Sequence, residues 1–144
     1  MPSRLTAACL AFATLLPFAA SAHDYTTGKM KVLHPWTDPT PAGTASAPLR
    51  LRIVEIQADD RLLAAETPVA ARIEVIPAAG DAEPGIALIN GQDLKLGDED
   101  GRGGARLRLH GINTQLFFGR EYPLNLHFAK AGMVEAGLII SDPE

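Results

Sequence analysis

Cysteine is nearly missing from this 144-residue chain: the one example, Cys9, lies in the apolar stretch that opens it. Everything after that stretch is free of thiols, which excludes a disulfide framework and a thiolate metal centre alike. Methionine is almost as scarce, with only Met30 and Met133 after Met1, and imidazole is limited to His23, His34, His110 and His127. Positive charge is not in excess. The 13 Lys and Arg stand against 17 Asp and Glu, and nucleic acid is excluded as a partner because holding phosphates demands a basic surface. Neither G-x-S-x-G nor H-E-x-x-H occurs, and no carboxylate pair stands at a catalytic spacing, so no enzyme is indicated. The acidic segment 97–104 (GDEDGRGG) lacks EF-hand spacing and reads as a solvated connector.

Long apolar runs are missing too, except at the start. Arg4 precedes an apolar segment over residues 5–20, which closes on the small residues Ala20, Ser21 and Ala22. That is the pattern of a secretory signal peptide over 1–22, with cleavage expected after Ala22. The run is interrupted by Pro17 and is too short for a spanning helix, which needs roughly 20 apolar residues. Lipidation at Cys9 is rejected, because cleavage there would discard most of the apolar segment. Removing Arg4 leaves 12 basic residues against 17 acidic ones, a mature charge of −5. The mature domain, 23–144, is thus expected to be exported, not membrane-inserted after cleavage, and held by its apolar core alone.

What the mature chain does have is period-2 alternation in short runs. These cover residues 29–33, 49–56, 72–76, 86–89, 105–110, 122–128 and 133–140, separated by Gly, Pro and Asp. About seven short strands of this kind predict an all-β, antiparallel β-sandwich. Residues 58–65 are read as a short helical turn, and 37–48, with four prolines around it, as an extended loop. On the strand at 105–110, Leu107 and Leu109 share the core face while Arg106, Arg108 and His110 share the outer one. On 72–76, Ile73 and Val75 face inward, which leaves Ile76 outside beside Arg72 and Glu74.

Taken in order, several motifs resemble the PCu(A)C family of periplasmic copper chaperones. They are His34-Pro35-Trp36 with Pro39-Thr40-Pro41-Ala42-Gly43; Asp60-Arg61-Leu62; Thr67-Pro68-Val69-Ala70; Arg72 to Val75; Gly103-Gly104 and Gly111; and Pro123-Leu124 with Phe128-Ala129-Lys130-Ala131-Gly132. The resemblance spans nearly all of the mature chain. It implies a cupredoxin-like sandwich in the periplasm, copper as the family's cofactor, and a copper-receiving periplasmic or membrane protein as partner, with delivery serving oxidase assembly. The chain is read as a monomer.

The resemblance also implies a Cu(I) site of histidine and methionine, because soft thioether sulfur suits Cu(I) and imidazole supports it. Here the family's ligand positions are replaced: the first histidine by Ile76, and the His-x-Met pair by Arg106 and Arg108. Between Met30 and Met133 there is no methionine, and between His34 and His127 only His110. An arginine stays protonated and repels a cation. The usual copper site is therefore expected to be lost. Two weaker metal candidates remain: His23, whose α-amine and imidazole become adjacent after cleavage, and His110 as a relic ligand. The alternative is a metal-free binding or scaffold module whose Arg-lined sheet face, Arg106 and Arg108 with Arg72, takes carboxylate or phosphate. Against that stands ordinary pairing of these arginines with Glu74 and Asp98-Glu99-Asp100. His34 is expected to pack within its motif, and His127 to be solvated.

Overall fold

Alternation sets the strands. In Ser46–Val54 the apolar residues at every second position, Ala47, Leu49, Leu51 and Ile53, are all buried, while Ser46, Pro48, Arg50 and Arg52 are not. That is the signature of a strand with one face on a core. The computed structural model describes residues 24–97 and 102–142, and among them ten strands pair into one continuous arrangement. They are β1 (Asp24–Thr27), β2 (Met30–Thr37), β3 (Ser46–Val54), β4 (Asp60–Glu66), β5 (Ala70–Ile76), β6 (Ile86–Leu88), β7 (Leu94–Leu96), β8 (Arg106–Ile112), β9 (Glu121–Phe128) and β10 (Gly132–Ile140). The strand order is β5-β8-β3-β2-β10-β9-β4-β6, with β1 on β2 and β7 on β3. No helix among these residues is long and apolar enough to cross a membrane.

The strand β3 joins the two layers. Its first half, to Leu49, pairs with β8, and its second half pairs with β2 and β7. Between the layers lies a core of Leu, Ile and Val, including Leu49, Ile53, Leu62, Leu109, Leu124, Leu126 and Ile140. Met30 belongs to it, 4% exposed, so its sulfur is spent on packing and is not offered to a metal.

The seven expected strands are present, and the structure adds β1, β4 and β7. The reading of 58–65 as a helical turn is corrected, since β4 covers most of it. A β-bulge between Leu62 and Ala64 lets the strand bury Leu62 and Ala65, three apart, and that spacing imitates a helix. One pairing departs from the antiparallel expectation: β10 meets β2 in parallel, Ile139 opposite Trp36 and Ile140 opposite Thr37. The long loop after Thr37 is pinned midway, where Thr40 and Leu116 exchange backbone hydrogen bonds of 3.0 and 3.2 Å.

Two motif residues hold loops in place. Arg61 Nη2 donates to Asp81 and to the carbonyls of Glu83 and Gly85, while its Nε donates to Pro84 at 2.8 Å. Asp60 accepts backbone N–H groups from Lys130 and Ala131, closing the turn between β9 and β10. These are architectural tasks, carried by the Asp60-Arg61-Leu62 motif.

Candidate functional site

Antiparallel register gathers one face from β3, β8 and β5. Ile76 lies opposite Arg106, Glu74 opposite Arg108, and Arg72 opposite His110. On the other side of β8, Pro48 faces Arg108 and Ser46 faces His110. Leu107 and Leu109, alternating with the arginines, are buried beneath. The four sequence-selected positions, Ile76, Arg106, Arg108 and His110, therefore do share one outer face. His23 and the acidic residues at 98–100 lie outside the described residues, as do 1–22.

The pairing on this face differs from expectation in one respect. Glu74 is taken not by an arginine but by His110, whose Nε2 sits 2.6 Å from its Oε2. That hydrogen bond, helped by the charges of His110, Arg72 and Arg106, holds the Glu74 carboxyl below its ordinary 4.5. Arg108 reaches instead to the Ser46 hydroxyl, at 2.9 Å from Nη2, and Arg106 to the Gly104 carbonyl at 3.2 Å. The reason is direction: Arg108 reaches across to Ser46 on β3 and Arg106 turns back to Gly104, which leaves Glu74 to the diagonally placed imidazole.

The chemistry of this donor set is plain. An isoleucine has no lone pair, a guanidinium has donors only, and the one imidazole stands across from Arg72 and two residues from Arg108. Such a set does not fit Cu(I), which seeks thioether and imidazole. It fits an anion: three guanidiniums, Arg72, Arg106 and Arg108, surround a single carboxylate.

The His34 motif makes a different feature. His34 sits in a bulge of β2 with φ of 47° and is exposed, so its expected packing role passes to the buried Pro35 and to Trp36. The Arg50 guanidinium stacks 4.4 Å above the Trp36 ring and pairs with Asp38 at 3.0 Å. His34, Trp36 and Arg50, together with Arg52, Asp93 and Lys95, line a groove of about 720 Å³.

A third region lies on the outer face of β4, β9 and β10. His127 Nε2 stands 3.3 Å from Glu66 Oε1, so this histidine has a partner rather than water alone. Asn125 donates to the same oxygen, and these two hydrogen bonds, Asn125 first, keep Glu66 below 4.5. Across the hairpin Met133 lies directly opposite His127, half exposed at 52%. Sequence reading passed over this pair. The short turn between β9 and β10 fixes the register, and counting back from it would have set 127 against 133.

The chain matches the family model described as putative lipoprotein LpqE-like, over residues 30–139. Among solved structures, the copper-bound PCuAC domain from PmoF2 superposes with a TM-score of 0.69 at 26% identity, over 84% of this chain and 99% of that one. The apo PCuAC domain from PmoF1 gives 0.72 at 27%, over 84% and 100%. Cu(I)-loaded DR1885 from Deinococcus radiodurans, at 15% identity, shares the fold with a TM-score of 0.61 over 85% and 81%. No curated protein sequence matches.

Proposed function

Because the chain belongs to the LpqE-like family and has the cupredoxin-like fold of PCuAC domains, we propose that it is an exported envelope protein of copper-chaperone descent in which the family's Cu(I) site is lost and the same face recognises anions. Export follows from the signal pattern over 1–22, and the periplasm is the compartment it indicates. No catalytic step is assigned.

One observation carries the reading: Ile76 stands opposite Arg106, with Arg108 and Arg72 on the same surface, where copper would need lone pairs. Guanidiniums present paired donors to carboxylate or phosphate. The natural ligand is an acidic group on a partner protein or a small anion.

The test is a pair of titrations of the mature protein, one with Cu(I) and one with inorganic phosphate. Phosphate should bind, and Arg106→Ala with Arg108→Ala should weaken it about tenfold, the scale of one charge-assisted hydrogen bond. Cu(I) binding that depends on His110 would sink the reading. Cu(II) binding abolished by blocking the α-amine would move the metal to His23, where cleavage places amine and imidazole on one residue.

A further inference from the structure

The outer face of β4, β9 and β10 differs from the arginine face in charge. Neither β9 nor β10 contains a lysine or arginine, and their outward positions include Glu121, Asn125, His127, Met133 and Glu135. The third strand adds Glu66. Within this acidic surround the only exposed thioether among the described residues lies directly across the ladder from an imidazole. Side chains directly opposed in an antiparallel pair have Cβ atoms about 5 Å apart. That is a span one small ion bridges.

The histidine is also oriented for the purpose. With Nε2–H donating to Glu66, the lone pair resides on Nδ1. A ligating histidine typically gives its other ring N–H to a carboxylate, which fixes the tautomer and raises the basicity of the ligating nitrogen. Asn125 holds the carboxylate in turn, at 3.3 Å. On the opposite strand Ala64 stands across from His127 and leaves space beside the ring.

We propose that His127 and Met133 form a binding site for a soft monovalent cation, Cu(I), with Nδ1 and Sδ as ligands and Glu66 as the hydrogen-bond partner that sets the tautomer. Imidazole with thioether is the donor pair that selects Cu(I) over harder ions. The ionised Glu66 supplies the balancing charge for a monovalent cation held by two neutral ligands. The site is separate from the Ile76–Arg106 surface and does not depend on the anion reading of it.

The experiment is an NMR titration of the protein with Cu(I) under reducing conditions, repeated with Ag(I) as a redox-inert soft probe. One equivalent should move the Met133 methyl and the His127 ring signals while leaving the buried Met30 methyl in place, and the ring ¹⁵N shifts should mark Nδ1 as the bound nitrogen. Met133→Leu, at an exposed position where the fold is not at risk, should weaken binding by more than about tenfold, the loss that second-shell changes already cause. Unchanged affinity in Met133→Leu, or a Met133 methyl that does not respond, overturns the site. A response confined to His110 overturns both this site and the anion reading, whereas silence at both histidines overturns this site alone.

Discussion

Among the described residues two histidine–glutamate pairs lie on two outer faces, and they differ in what stands one strand away. His110 and Glu74 meet at 2.6 Å, His127 and Glu66 at 3.3 Å, and both carboxyls are held below 4.5. Across the ladder from His110 is Arg72, and across from His127 is Met133. The first imidazole is therefore surrounded by guanidiniums and the second by a thioether and carboxylates. A cation approaching the first meets like charge, and one approaching the second meets donors. The lesson is that a histidine's neighbour in the adjacent strand, several to dozens of residues away in sequence, decides what its lone pair is for.

Both faces rest on one core, and the largest expected effects test that. Leu109→Ala lies beneath the arginine face and Leu126→Ala beneath the acidic one, each fully buried. Each should cost about 2–5 kcal/mol in urea unfolding. A much smaller loss at Leu109 would show that β5 and β8 open separately and would break the comparison. Next is Gly111→Ala. Gly111 has φ of 63°, and an added Cβ would lie 2.7 Å from that of Ala71 on β5. A left-handed non-glycine residue costs about 1–2 kcal/mol, so a loss of that size is expected, together with a weakened phosphate response while the His127 signals stay in place. The smallest effect is in pH. A carboxyl whose folded pKa is lowered stabilises above the unfolded value and loses that contribution as pH falls through the folded one. Glu74→Gln and Glu66→Gln should each flatten the decline of unfolding free energy below about pH 4.5. The change should be larger for Glu74, with its shorter contact and nearby arginines. Equal slopes would remove the electrostatic contrast between the faces.

Much of the strand pattern is legible in the sequence itself. Alternation in 49–56, 105–110 and 122–128 identifies strands and faces, because an outward side chain and its buried neighbours leave a period-2 trace. That Ile76, Arg106 and Arg108 each point outward follows from the same rule, whereas their sharing one face is set by the pairing of β5 with β8. The strand β4 was misread because its bulge at Leu63 shifts the apolar spacing to three. The strand β7, three residues long, gives alternation too little length to show. Side-chain choices were less legible than strands. That Glu74 selects His110 over the arginines depends on diagonal reach, and that Met133 meets His127 depends on register, which one sequence states only through its turns.

The order of the strands begins with β5, which pairs with β8 and has no second partner along that path. Its backbone edge is a template on which another extended chain can add itself, and native sheets blunt such edges with charge. Here Arg72 and Glu74 do so. A strand docking there must set its own side chains beside a guanidinium and a carboxylate already held by His110. The charged residues that read as a recognition face from above therefore also act from the side, as the guard that keeps one folded molecule from templating the next.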